Sequence, residues 1–361
     1  MVSVVERRHR EDLVREGSRL LDGGPSFLET RAIAHTTRVD YRRRIDNFNK
    51  EAKIDAETCA LDLLEMTLLE YFDTQFMLGE DIGHRLKLLA ALGHFRPELR
   101  RLARTLALPR VKIALQGWQR VAPSVIRLPV PWPVLSALCV VLLRMELPEM
   151  ALATLLAADA YLRPGELLWL MAEDVVVGKP SLGKVYGQTG LLLFPSERGR
   201  PSKTHLFNDS VMLDHPQRLW LGPLLEAHAR KRRGLPLFSF TYRQWLESFR
   251  SAGHALGLED WGMTLYVLRH IGPTADYLTR TRTLPDIQRR GRWAQESSVR
   301  RYEKASRVTS RLAKLTAPQL DFVEECDKHL EALLTGRRPL PVLAPLLWTV
   351  AVDRRGKKRK R

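Results

Sequence analysis

A chain of 361 residues that sets 58 lysines and arginines against 41 aspartates and glutamates carries a formal charge of +17 and a pI near 10.1. So basic a balance points to a polyanionic partner, because each phosphate neutralised releases a condensed counterion; charge alone leaves DNA, RNA and an acidic membrane surface open. A hydrophobic fraction of 45% excludes a disordered chain, and the length suits roughly two or three domains of ~100 to 200 residues.

Three cysteines, Cys59, Cys139 and Cys326, lie far apart without a CxxC pair, so neither a disulfide framework nor a zinc site is expected, and a reducing compartment fits. The longest apolar run, residues 132–143, ends at Arg144 and falls short of the ~20 residues a membrane span needs. The charged stretch Glu6, Arg7, Arg8, His9, Arg10, Glu11 and Asp12 has no apolar segment behind it, unlike a secretory signal.

In chain order, residues 1–25 form a charged leader closed by the turn signal Gly23-Gly24-Pro25. From 26 to 122 the pattern is helical. Thr37, Tyr41, Ile45 and Phe48 recur at steps of three and four, with Arg38, Arg42, Arg43 and Arg44 on other faces. Further helices are expected over 61–78, 82–92 and 98–107, the last carrying Arg100, Arg101 and Arg104. Four prolines, Pro123, Pro129, Pro131 and Pro133, stop any helix from crossing and mark a domain boundary. A second domain is expected over 123–335. It opens with apolar helices at 134–143 and 149–161, continues with short strands at 175–177, 185–186 and 191–194 between turn glycines, and returns to helices over 241–333. The proline-rich stretch 336–345 suits a linker. The tail Arg354, Arg355, Lys357, Lys358, Arg359, Lys360 and Arg361 suits a nuclear-import signal or a nucleic-acid contact, with a plain solvated terminus as the alternative. The fold class expected is therefore mainly α with a small antiparallel β-sheet, α+β.

Three elements could carry chemistry. In the first, Pro164 suits the first turn of a helix, which puts Arg163 at the helix start with its guanidinium and the free backbone N–H groups facing a phosphate. The structural alternative is a pair between Arg163 and Glu166 at i+3. In the second, Arg269 is a candidate second phosphate contact, with Tyr266 one turn before it on the same face. In the third, Tyr302 lies nine residues after Trp293 among Arg300, Arg301 and Lys304, whose positive field favours a phenolate.

Taken together, these elements resemble the catalytic domain of the tyrosine recombinase (phage integrase) family. Its first box, L-R-x-x-E-L followed by an acidic and an aliphatic residue, is matched by Leu162, Arg163, Glu166, Leu167, Asp174 and Val175. Its second, H-x-L-R-H, is matched by Leu268, Arg269 and His270, and its His or Trp nine residues before the nucleophile by Trp293 and Tyr302. Tyr266 stands where the family usually has His or Lys, and Gly291-Arg292-Trp293 replaces the common glycine-histidine pair. The match covers roughly residues 130 to 335; residues 27–120 look, more weakly, like the family's helical core-binding domain.

The resemblance implies a helical clamp domain beside a catalytic domain on duplex DNA, and a metal-free, cofactor-free phosphoryl transfer. Tyr302 would attack to give a 3′-phosphotyrosyl link and a free 5′-hydroxyl. Arg163 and Arg269 would stabilise the phosphorane, Trp293 would orient it, and a lysine of the family's β-hairpin would protonate the leaving oxygen: Lys203, with Lys184 as competitor. Tyr266 would only hydrogen-bond. Further DNA contacts are expected from Arg42, Arg43, Arg100, Arg200, Arg292 and Arg300. An enzyme of eukaryotic mobile-element type, acting as a homo-oligomer in the nucleus and taken there by an import receptor, follows from the resemblance and the basic tail. A decayed DNA-binding protein of the same fold and a type IB-like topoisomerase are the alternatives. No membrane association is expected.

Overall fold

The computed structural model describes residues 28–29, 32–101, 108–123, 129–183, 186–198, 207–303 and 305–343. The leader, the basic tail, Lys184, Arg200 and Lys203 lie outside the described residues, as does the side chain of Arg100. Between Ile126 and Arg127 the chain divides into two compact units.

Among the described residues, the regular elements of the first unit are all helices: α1 His35–Ala52, α2 Leu61–Met77, α3 Ile82–Phe95, the short α4 Glu98–Arg101, and α5 Pro109–Val121. Helix α1 packs on α3, and α2 packs on α5. The apolar rows run along one face of each helix: Ile45 and Phe48 on α1, and Leu64, Leu68 and Phe72 on α2, are all buried. Asp81 caps α3 by accepting the Gly83 N–H at 2.6 Å, and Pro109 starts α5 where no backbone donor is needed. The basic face of α1 is tied to acids. Arg42 donates to Glu57 at 2.5 Å with its guanidinium 4.0 Å above the Phe95 ring, and Arg43 donates to Asp40 at 2.8 Å. Such exposed pairs contribute only ~0.2–1 kcal/mol each, so either arginine can exchange its partner for a phosphate at little cost.

The second unit is built on two helices buried on nearly every side. In α6 Trp132–Arg144, every residue from Val134 to Leu142 is buried, and in α7 Pro148–Asp159, every residue from Met150 onward. A helix apolar all round needs neighbours all round. These neighbours come from further along the chain. After the single turn α8 Pro164–Leu167 follow strands β1 Val175–Val176, β2 Gly190–Leu193 and β3 Asp209–Met212. Next are α9 Leu221–Lys231, α10 Tyr242–Ala255, α11 Leu268–Leu278, α12 Leu284–Gly291, α13 Ala305–Leu312, α14 Ala317–Lys328 and α15 Leu330–Leu334. Helix α6 packs against α7, α10 and α14, and α7 also packs against α11. The strands form one antiparallel sheet in the order β1-β2-β3, with Leu191 opposite both Val175 and Val211.

The fold is thus mainly α with a small antiparallel sheet, as the sequence suggests. The strand expected at 185–186 falls half outside the described residues; Tyr186 itself lies in a turn. The third strand is Asp209–Met212, whose Asp209 and Ser210 hide its alternation. Helix α9 was not read from the sequence either. Pro318 sits in the first turn of α14, where its missing N–H costs nothing. Among the described residues, no helix is long and apolar enough to cross a membrane.

Candidate active site

Helix α7 ends at Asp159, and the chain reverses through Tyr161, whose φ of 54° lies in the left-handed region. Leu162 closes the reversal by donating its N–H to the Ala157 carbonyl at 2.9 Å. Pro164 then opens the single turn of α8 and leaves Arg163 extended just ahead of it. The Arg163 backbone N–H does not point into open space, as expected of a phosphate cradle. It donates to Glu166 Oε2 at 2.9 Å, while the Arg163 guanidinium donates to Glu166 Oε1.

Glu166 is the hub of this site. Besides Arg163 it accepts a hydrogen bond from Arg292 Nη2 at 3.0 Å, and Arg269 Nη1 stands 3.5 Å from the same Oε2. Arg163 and Arg269 therefore meet on one carboxylate. Burial alone would push the Glu166 carboxyl up, but Arg292, Arg269 and Arg163 outweigh it and hold the group below the usual range. Three guanidiniums on one carboxylate leave positive charge in excess. The Arg269 guanidinium, fully buried, is pushed down to about 10 by its burial and by Arg163, against the pull of Glu166. Burial lowers Arg292 as well. The Nε–H groups of Arg269 and Arg292 are buried without a hydrogen-bond partner. A buried unpaired donor costs about 1–3 kcal/mol, so the cluster is short of acceptor oxygens.

Arg269 is fixed from the backbone side. It donates to the Tyr161 carbonyl at 2.6 Å and to the Gly291 carbonyl, and its guanidinium lies 4.7 Å from the centre of the Trp293 indole. Arg292, at φ 55°, reaches the same Tyr161 carbonyl at 3.4 Å. Trp293 packs in turn against Tyr302, with ring centres 5.6 Å apart. Tyr302 is only 1% exposed, in a small cluster with Tyr161, Ile287 and Val299. Its hydroxyl lies 2.8 Å from Nδ1 of His270. Arg163, Glu166, Arg269, Trp293 and Tyr302 so form one unbroken series of contacts.

A second layer of charge supports the first from below. The buried Asp276 of α11 accepts hydrogen bonds from the Tyr161 hydroxyl, from Arg282 and, at 3.1 Å, from Arg218, and stands 3.3 Å from His215 Nε2. Burial would raise this carboxyl, but His215, Arg218, Arg282 and Tyr161 together hold it far below the usual range. Arg218 also donates to Asp159 at 2.6 Å. Arg290 of α12 donates to the Met212 carbonyl at 2.8 Å and to Asp214 at 3.0 Å, linking the end of β3 to this layer. The Tyr161 carbonyl that holds Arg269 is itself held through the Tyr161 ring.

The other expected residues fall in different places. Tyr266 does not share the burial of Arg269: it is 47% exposed, and its ring meets His270 edge-on at 5.2 Å, while Arg269 is fully buried. Arg292, expected on the DNA side, is buried in the arginine cluster. Arg300 is exposed, 3.4 Å from Glu296. The segment holding Lys203 and Arg200 joins β2 to β3; just before it, Arg198 pairs with Asp174 at 2.6 and 2.7 Å. Glu166 was visible as a letter of the first box and a possible partner of Arg163, and His270 only as a letter of the second box. Asp276, Arg218 and Arg282 carried no sequence signal. Among the described residues, no group of three or more His, Cys, Asp or Glu is placed to hold a metal ion.

No family model matches this chain, and no curated protein sequence does. Among solved structures, it is similar to the XerH site-specific recombinase bound to its difH substrate in a pre-cleavage complex, at 16% identity and a TM-score of 0.35, over 70% of this chain and 77% of that one. It is similar also to the XerA recombinase, again at 16% identity and a TM-score of 0.35, over 91% of this chain and 99% of that one.

Proposed function

We propose that this protein cuts and rejoins duplex DNA through a covalent 3′-phosphotyrosyl intermediate, with Tyr302 as the nucleophile. The observation that carries the proposal is the series Arg163, Glu166, Arg269, Trp293 and Tyr302, drawn from three separate stretches of chain into contact. Guanidiniums with unspent N–H groups and excess positive charge suit the non-bridging oxygens of a phosphodiester, whose charge grows in the transition state. The phenol beside them supplies the attacking oxygen. Its adduct conserves the energy of the broken bond, so religation needs no nucleotide cofactor.

By resemblance, Lys203 protonates the leaving 5′-oxygen. The helical unit with Arg42, Arg43 and Arg100, together with Arg200 and Arg300, grips the duplex backbone, and several protomers assemble on it. The net charge of +17 supports a DNA partner. A mobile-element enzyme entering the nucleus through its basic tail is the setting we infer.

Wild-type protein mixed with a pool of nicked, end-labelled duplexes of random sequence in EDTA is expected to yield a DNA-linked band on a denaturing gel. Tyr302→Phe is expected to yield none. A wild-type chain that binds these duplexes yet never forms the band overturns the proposal. Two observations favour a second reading, a decayed DNA-binding protein: Tyr302 is 1% exposed, and the family's His or Lys position holds an exposed Tyr266. That reading expects binding without adduct.

A further inference from the structure

Tyr302 can attack phosphorus only as it gives up its phenolic proton, and of the described residues placed around it above, few can take one. Guanidiniums carry no acceptor, and an indole N–H only donates, which removes Arg163, Arg269, Arg292 and Trp293. Glu166 is a poor base, since three arginines hold its carboxyl below the usual range. Tyr266 is exposed, and its ring packs on the imidazole of His270. His270 remains. Its Nδ1 lies 2.8 Å from Tyr302 Oη, inside the reach a general base requires. It follows Arg269 directly in the first turn of α11, so the residue that binds the phosphate and the residue that meets the nucleophile share one rigid backbone. The imidazole stands between two phenols, edge-on to Tyr266 at 5.2 Å and 6.0 Å from the Tyr302 ring.

The geometry points to His270 as the proton acceptor for Tyr302, a role that rests on Tyr302 being the nucleophile. The acceptor tautomer carries its proton on Nε2. As the Tyr302 oxygen forms its bond to phosphorus, the phenolic proton passes to His270 Nδ1 and the imidazole becomes imidazolium. The bond from phosphorus to the 5′-oxygen breaks, and that oxygen takes a proton from an ammonium group, the part the resemblance gives to Lys203. In religation the 5′-hydroxyl attacks, its proton returns to the amine, and the imidazolium hands its proton back to the departing tyrosine oxygen. Atoms and charge balance over the cycle. The position that usually holds His or Lys is thereby free to be Tyr266, because the proton travels through the residue four places later.

The test separates a base from a spacer. His270→Asn keeps an acceptor for the phenol but cannot hold the proton, and His270→Ala removes both. Adduct formation by the full-length chain on the nicked random-sequence pool is expected to slow about 100-fold or more in both variants, with duplex binding and thermal unfolding close to wild type. Replacing Tyr302 in the His270→Asn chain by a fluorinated tyrosine, whose phenol ionises more readily, is expected to recover most of the lost rate. His270→Asn reacting at the wild-type rate, or a fluorinated tyrosine that recovers nothing, overturns the role of His270 and leaves Tyr302 as nucleophile. A wild-type chain that forms no adduct overturns both.

Discussion

The Trp293 indole lies against the Cα of Gly291, so closely that a β-carbon built at Gly291 would stand 1.6 Å from Trp293 Cζ3. The Gly291 carbonyl is also a hydrogen-bond acceptor for Arg269. Gly291→Ala must therefore move the indole, the end of α12, or both. Overpacking of this kind costs typically 1–3 kcal/mol, and here it falls on two site residues together. We expect a lower Tm, and adduct formation slowed far more than that loss of stability explains. An alanine variant that keeps wild-type cleavage would show that the seat of Trp293 does not matter to the site.

Glu166 is the counter-ion of three arginines, and Glu166→Gln removes its charge while keeping its shape. Taking one partner from a buried charge cluster costs about 3–5 kcal/mol, because the charges left behind stay buried. The variant is expected to unfold at lower temperature. Inorganic phosphate should then stabilise it more than it stabilises the wild type, since an anion can replace the missing carboxylate. Equal phosphate shifts for the two proteins would argue against an anion seat at the arginines.

Asp276 and Glu166 are both held below their ordinary values of 3.8 and 4.5. As pH falls through those values, the unfolded chain takes up protons that the folded chain still refuses. The stability they contribute is complete above about 4.5 and drains away below it. Thermal unfolding against pH should show a steep acid limb for the wild type. Asp276→Asn is expected to be less stable at neutral pH with a shallower acid limb; parallel curves would mean that Asp276 is not the group responsible.

Arg300 is two residues from Tyr302 and two-thirds exposed, with Glu296 at 3.4 Å. If it contacts a phosphate, Arg300→Ala should flatten the plot of log affinity against log salt by roughly one counterion and weaken binding to all sequences alike. An unchanged slope would place Arg300 off the duplex.

Most helices could be read from the sequence because their apolar residues repeat at three and four places, as Ile45 and Phe48 do on α1; α9 could not. Strand β3 could not, because Asp209 and Ser210 interrupt its alternation, and its place depends on pairing with β2. Within the site, Arg163, Arg269, Trp293 and Tyr302 stood out by residue type and order, and the structure draws their side chains into one series of contacts. What joins them did not stand out. Glu166 looked like a partner for Arg163 alone, since the approach of Arg269 and Arg292 depends on how distant helices pack. The Asp276 layer joins α11 to Tyr161 and Arg218 across more than 50 residues, a distance over which local patterns carry no information.

The arginines also serve as mortar. Arg269 spans the Tyr161 and Gly291 carbonyls, and Arg292 shares the first of them and closes on Glu166, so both tie distant segments of the polypeptide together whether or not it reacts. A descendant that lost Tyr302 would still be selected to retain them. Among relatives of this chain, an intact arginine pattern would thus record shared architecture rather than activity.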